Sequence, residues 1–228
     1  MQANLWRQMG FFNPNDLGEN KIHIVGVGAT GSHIADTLAS MGIYQLAVYD
    51  FDTVEDHNLP NQIYKLSDIG KPKVEALKQH ILDKMGFEIE AYNQKVEKIE
   101  DLKGYLVLCT DSMEVQKSVM LLSARLNKHC LGVIETRMGI DQGRVYFFNP
   151  NDKLHLSKWN DRWYSDEDAM ESPCNSRSIN MTAKLLASLA AGRIVIHQRR
   201  ISKRDSETVL YNESIVHVCG NIDNNIWE

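Results

Sequence analysis

"KIHIVGVGATGSHIADTLASMG", running from Lys21 to Gly42, decides how the rest of the chain reads. "KIHIV" has the length and apolar content of a buried strand. It stops at "GVGATG", which sets Gly26, Gly28 and Gly31 in G-x-G-x-x-G spacing. "SHIADTLASMG" then carries Ile34, Leu38 and Met41 on one face at helical spacing, with Gly42 placed as a C-cap. In such a strand-turn-helix unit each glycine has a task. The first permits a tight turn, the second lets a phosphate approach the backbone, and the third lets the helix sit close to the strand. The helix N-terminal amides then face an anion. The three letters alone are weak evidence, since a glycine turn also serves packing. The strand before them and the helix after them are what point to a nucleotide.

Outward from this unit, strands and helices alternate. "YQLAVYD" is a second strand, ending on Asp50, 19 residues after Gly31. A carboxylate there can accept the ribose hydroxyls of a nucleotide. "PKVEALKQHILDKMG" is a helix with Pro72 near its first turn and Val74, Leu77 and Ile81 on one side. "FEIEAYNQ" alternates as a strand, "GYLVLCTD" is a continuous apolar strand, "SMEVQKSVMLLSARLNK" is its helix and "CLGVIET" the next strand. The expectation is an α/β, Rossmann-like fold: a mostly parallel sheet with helices on both faces. The rhythm then changes. "GRVYFFNP" arrives without a helix before it, and "TVLYNESIVHV" suggests a closing pair of short strands, so the C-terminal strands should be antiparallel. Residues 1–20 read as a polar-aromatic arm. Residues 151–177 are polar and tryptophan-rich with no clear period, which predicts a mobile crossover loop. "SINMTAKLLASLAAGRIVIHQ" is strongly helical. The whole of 1–228 is expected to form one domain.

Composition narrows the function classes. Twenty-five basic residues against 30 acidic ones give a formal net charge of −5, which does not favour nucleic acid or an anionic membrane as partner. No apolar run approaches the ~20 residues of a membrane span, and the N-terminus has no basic start followed by an apolar core. A cytoplasmic location is expected. The four cysteines, Cys109, Cys130, Cys174 and Cys219, are widely spaced, so neither a disulfide framework nor a structural zinc is expected.

The connection after the second strand, "VYDFDTVEDHNLPNQIYKLSDIGKPK" from Val48 to Lys73, spends two dozen residues on polar groups before its helix. A nicotinamide dehydrogenase has no need of it. It resembles the signature of the ThiF/MoeB superfamily: the adenylating enzymes of thiamin and molybdopterin synthesis and the adenylation domains of ubiquitin-activating (E1-like) enzymes. Those carry a D-x-D-x-V-x-x-x-N-L-x-R-Q run followed by G-x-P-K. "CTD" at Cys109–Asp111, "RMGIDQGRVYFF" and the N-terminal "LWRQMG" are similar to further family segments, so the resemblance spans nearly the whole chain.

The resemblance implies an ATP-dependent adenylyltransferase: a carboxylate oxygen attacks the α-phosphorus of ATP and pyrophosphate leaves. Asp50 would hold the ribose, with Asp52, Asn58 and Gln62 in the nucleotide site. Lys73 would reach the phosphates and Asp111 would hold Mg²⁺. Arg7 matches the arginine that enters a partner's site in the family's homodimers. Cys174, in "ESPCNSRS", matches a frequent acceptor-cysteine position, where a helix start and Arg177 would favour the thiolate; a structural thiol is the alternative. Cys109 and Cys130 lie in apolar strands and read as core. Trp159, Trp163 and Tyr164 either contact a partner peptide or pack the loop onto the sheet. One departure matters: Asn61 stands where the family has arginine, so a phosphate-facing cation is missing, and either another cation such as Arg137 or Arg144 substitutes for it or ATP binds more weakly. The implied partner is a ubiquitin-like or sulfur-carrier protein, or a peptide, with a C-terminal glycine. A homodimer is expected because "TAKLLASLAAGRIVI" offers an Ala/Leu-rich surface that needs cover. Two other readings stay open here. One is a weak or inactive partner subunit of an E1-like heterodimer, favoured by Asn61. The other is a nicotinamide oxidoreductase, which leaves Asn58, Lys73 and Asp111 without work.

Overall fold

The computed structural model describes residues 3–139, 142–168, 180–217 and 221–227. Its strands form one eight-stranded sheet in the order β3-β2-β1-β4-β5-β6-β7-β8. β1 (Lys21–Val25), β2 (Leu46–Asp50), β3 (Glu90–Asn93), β4 (Gly104–Leu108) and β5 (Cys130–Met138) run parallel. β6 (Gln142–Phe148), β7 (Glu213–His217) and β8 (Ile222–Asn225) are antiparallel to their neighbours. The expected mixed, Rossmann-like sheet is therefore observed. Because β2 and β3 lie on one side of β1 and β4 and β5 on the other, the order reverses between β1 and β4. That reversal opens a crevice at the strands' carboxyl ends.

Helices cover both faces because the strands are apolar on both. On one face α1 (Ala29–Ser40), α2 (Lys73–Met85) and α5 (Asn180–Ile201) bury Ile34, Leu38, Leu77, Leu186 and Ile194 against Ile22 and Ile24. On the other, α3 (Met113–Val119) and α4 (Lys153–Asn160) bury Val119 and Trp159 against Leu106, Leu108 and Tyr146. Gly42, with φ of +85°, follows the end of α1 as a left-handed cap.

Several expectations need correction. Residues 151–168 are not a structureless loop: Asp152 accepts hydrogen bonds from the amides of Leu154 (2.8 Å) and His155 (3.1 Å) and starts α4. Eight residues are too few for a helical period to stand out. The Ala/Leu surface of α5 is covered within the chain, since Ala183, Leu186, Ala187, Ala190 and Ala191 are buried against the core. The arm is only partly an arm, because Phe12 and Leu17 are fully buried. The helix expected over 112–128 ends early: a π-turn at Met120–Ala124 closes it, and Leu126 follows at φ +63°. The strand pair expected within 208–218 takes its second member from beyond that stretch, as β8.

Candidate nucleotide site

The glycine turn meets the conditions that its spacing implies. Gly26 has φ of +86°, and a Cβ there would come within 2.9 Å of the Cys109 backbone at the end of β4. A Cβ on Gly31 would lie 1.9 Å from the Gly26 carbonyl oxygen. Gly28 is different. It is the N-cap of α1, provides no side-chain cap, and a Cβ there would meet nothing nearer than Gln62 Nε2 at 4.0 Å. The first-turn amides of α1 thus lack a side-chain acceptor, and the space in front of them is lined by a polar amide. Gln62 Oε1 is buried and has no partner. These features fit a phosphate group.

The long polar connection folds back on itself. Val54 N donates to Lys71 O (2.9 Å), Gly70 N to Val54 O (2.8 Å) and Lys73 N to Asp52 O (2.9 Å). The two ends are zipped together, and Gly70, at φ +85°, makes the return. Lys73 is thereby delivered to the first residue of α2, almost buried, with Nζ 2.7 Å from Asp52 Oδ2. Asp50 braces the assembly: its Oδ2 accepts from Val27 N (2.8 Å) and its Oδ1 from Asp52 N (2.9 Å). Each oxygen keeps a second lone pair for a hydroxyl. The Asn58 side chain accepts from Glu55 N (3.0 Å) and shapes the loop, while Asn61 supports His33 of α1 through its backbone. Burial, first, and the Lys184 charge lower the His33 pKa, against the opposing pull of the Asn61 backbone and Asp36.

Tyr64 was not singled out by the sequence, yet it anchors the loop. Its buried hydroxyl donates to Val27 O at 2.7 Å, and burial, reinforced by Asp50, Asp68 and Asp52, raises its pKa. Only its place between two loop polar runs marks it as an inward-facing residue.

Asp111 is exposed just past β4, next to the α3 N-terminus. Asp166 closes that corner, accepting from Ser112 Oγ (2.7 Å) and Met113 N (2.5 Å). Among the described residues no three His, Cys, Asp or Glu side chains converge as a metal cage. A lone carboxylate suits Mg²⁺, which is commonly held by one or two carboxylates together with substrate phosphates.

Other sequence candidates lie elsewhere. Arg7 is exposed beside Trp6, on a segment whose Leu5 abuts Gly42. That segment lies against the C-terminal end of α1, the end away from the glycine turn. Arg137 and Arg144 project from the α3–α4 face, whereas Asn61 lies against α1 on the opposite face, so neither replaces the missing cation beside Asn61. Trp159 is buried on Phe148 and donates to Glu135 (2.5 Å), and Trp163 packs under Lys117; both serve packing. Cys130 is buried, its thiol pushed up to about 12 by burial, and Cys109 accepts from Thr136 Oγ1 at 3.4 Å. Cys174, Arg177 and Cys219 lie outside the described residues. No described helix is long and apolar enough to cross a membrane.

A family model described as ThiF family matches residues 2–213. Ubiquitin-like modifier-activating enzyme 5 of Drosophila persimilis is 26% identical over 160 residues, covering 61% of this chain and 41% of that protein. The Caenorhabditis elegans enzyme is 27% identical over 164 residues, covering 63% and 38%. The chain thus spans about two fifths of the length of these relatives. Among solved structures, E. coli MccB with AMPCPP and MccA superposes with a TM-score of 0.66 at 17% identity, over 94% of this chain and 65% of that one. PaaA superposes with a TM-score of 0.68 at 20% identity, over 94% and 66%. These likenesses establish a shared fold.

Proposed function

This chain belongs to the ThiF family, and from that premise we propose that it is an ATP-dependent adenylyltransferase that activates the C-terminal carboxylate of a ubiquitin-like protein, sulfur carrier or peptide. The observation that carries the reading is the uncapped α1 N-terminus over Gly28, with Lys73 brought to the same end of the sheet by the zipped loop. Crystallisation of E. coli MccB with ATP supports the choice of nucleotide.

The chemistry joins two anions. A carboxylate oxygen attacks the α-phosphorus, the bond to the β-phosphate oxygen breaks, and pyrophosphate carries away the electron pair. Repulsion and developing charge make the barrier, so catalysis is positioning plus cations. The α1 amides would hold phosphate oxygens, Asp50 the ribose, and Gln62 the mouth of the turn. Lys73 would follow the phosphate charge, exchanging Asp52 for it. Mg²⁺ bound at Asp111 would offset charge on the leaving group. Arg7 would act on the partner's site in a homodimer, and Cys174 would receive the acyl group from the adenylate. The whole of 1–228 would work as one adenylation domain in the cytoplasm.

The test is ATP–pyrophosphate isotope exchange with a Gly-Gly-terminated carrier, beside calorimetry with ATP–Mg²⁺ and with NAD. Exchange and ATP binding are expected. Tight NAD binding with no response to ATP–Mg²⁺ rejects the reading. Asn61 favours a second reading, a partner subunit that binds ATP but turns over only with an active sibling; ATP binding without exchange would select it.

A further inference from the structure

On the α3–α4 face, β5 and β6 place Arg137 and Arg144 directly opposite one another in antiparallel register. Like charges in that position repel, so an unexplained pair there calls for an anion. The local counter-charges do not fill the need. Glu135, fully buried, pairs with Arg137 Nε and takes the Trp159 indole on its other oxygen. Glu213 accepts from Arg162 Nε at 3.0 Å. Arg144 has only the Tyr146 hydroxyl, at 3.4 Å, and no ion pair among the described residues. Among the described residues the cluster therefore holds three guanidiniums against two carboxylates.

One atom points the same way. Arg137 is more than nine-tenths buried, and its Nη2 has no hydrogen-bond partner, although Nε and Nη1 are bound by Glu135 and the Arg162 carbonyl. A buried guanidinium donor left unpaired is costly and needs an explanation. Arg137 is also held flat, 4.6 Å from the Tyr146 ring centre and 5.2 Å from that of Tyr164, so its donor fork is fixed in direction.

The position is next to the proposed chemistry. Leu108 of β4 pairs with Glu135 of β5. Two residues beyond this last pair come Thr110, past the end of β4 and followed by Asp111, and Arg137, still on β5.

We infer that the Arg137–Arg144 pair is the receptor for the carboxylate that is to be adenylated, the free C-terminus of a peptide chain. This rests on the proposed adenylation reading. The phosphate has its own place at the α1 N-terminus after β1, and the pair stands near the end of β5, with only β4 between them. A single excess positive charge matches a monoanion, and two planar guanidiniums match a planar carboxylate.

The probe is acetyl-Gly-Gly with a free carboxylate, compared with its C-terminal amide, titrated into the ¹⁵N-labelled full chain without nucleotide. The acid should shift the Arg137 Nε and Trp159 indole resonances saturably, and the amide should not. Arg144 is only half-buried, so Arg144→Gln should keep the wild-type indole spectrum and ATP affinity. It should weaken the acid's binding about tenfold, the loss of one charge-assisted hydrogen bond. Equal shifts by acid and amide, or unchanged acid binding by Arg144→Gln, would overturn the assignment. Acid binding at the pair in a chain that binds no ATP would leave the receptor standing and reject the adenylation reading instead.

Discussion

Lys73 Nζ lies 2.7 Å from Asp52 Oδ2, across a loop that separates the two residues by 21 positions. The pair is lopsided: the lysine side chain is 8% exposed, the aspartate 50%. An ammonium so placed needs an anion, and the loop supplies one that water can partly replace. Phosphate is then a competitor for the same charge.

That asymmetry sets the outcome of two substitutions. Lys73→Ala leaves Asp52 free to hydrate, so stability should hold while exchange falls on the order of 10²–10³, as when one preorganised charge is lost. Asp52→Asn leaves a nearly buried ammonium uncompensated and should cost about 1–2 kcal/mol, less than a fully buried pair because Asp52 is half in water. ATP should raise the melting temperature of Asp52→Asn by more than that of the wild type, since its phosphates restore the missing charge. Equal shifts in the two proteins would mean that Lys73 does not meet the nucleotide.

The glycines of the turn should separate folding from binding. Gly31→Ala puts a methyl group 1.9 Å from a backbone oxygen and should destabilise by about 3 kcal/mol. Gly28→Ala has open space around it and should fold normally. Its methyl group fills the space in front of the α1 amides, so ATP affinity should drop by about tenfold or more. Urea titration and calorimetry on both variants check this; a Gly28→Ala chain that binds ATP normally would remove the phosphate from α1.

Mild acid should weaken the fold through its buried histidines. His23, whose Nδ1 meets Tyr49 Oη at 3.0 Å and whose Nε2 has no partner, is lowered to about 4, chiefly by burial; His197, beside Tyr105, is also lowered to about 4 by burial. Unfolded histidine titrates near 6.5. Above that pH neither state takes up a proton and the stability is fully present. Between about 6.5 and 4 the unfolded chain gains protons that the folded chain refuses, so stability falls as pH falls, by about 1.4 kcal/mol per pH unit for each site. Carboxylates held low, such as Asp36 and Asp205, act below this window. Urea midpoints at pH 7 and pH 5 should differ, and His23→Gln should reduce the difference. An unchanged difference would place the proton uptake elsewhere.

The parallel half of the sheet was readable because strands buried on both faces are written as apolar runs, and the glycine turn because Gly26 and Gly31 have no room for a side chain. The Asp52–Lys73 contact was not readable. It depends on Val54 and Gly70 closing the loop, and backbone pairing between polar residues leaves no composition signal. The face-to-face arginines were hidden for a similar reason, since alternation along a strand tells which face a residue takes and not which residue it meets on the neighbouring strand. The surface of α5 looked unpartnered because its partner, α1, lies some 150 residues earlier in the chain.

Arg7 gives a test of assembly. Its segment packs at the end of α1 away from its own glycine turn. If it serves a partner's site, Arg7→Ala and Lys73→Ala should each be inactive alone, and mixing them should restore exchange, because one mixed site then has both residues. Light scattering should show a dimer at micromolar concentration. A monomer, or no recovery on mixing two folded variants, rejects action across the dimer.

The order of steps makes Asp111 and Cys174 behave differently. Asp111 would act while the adenylate forms, so Asp111→Ala should lower ATP–pyrophosphate exchange on the order of 10²–10³. A thioester at Cys174 would form only afterwards, when the thiolate attacks the acyl carbon and AMP leaves. Cys174→Ala should therefore retain exchange and lose the covalent acyl-enzyme seen by mass spectrometry. Full exchange in Asp111→Ala would overturn its place at the site. Lost exchange in a folded Cys174→Ala chain would make that cysteine part of the adenylation pocket, and unchanged downstream transfer would return it to a purely structural part.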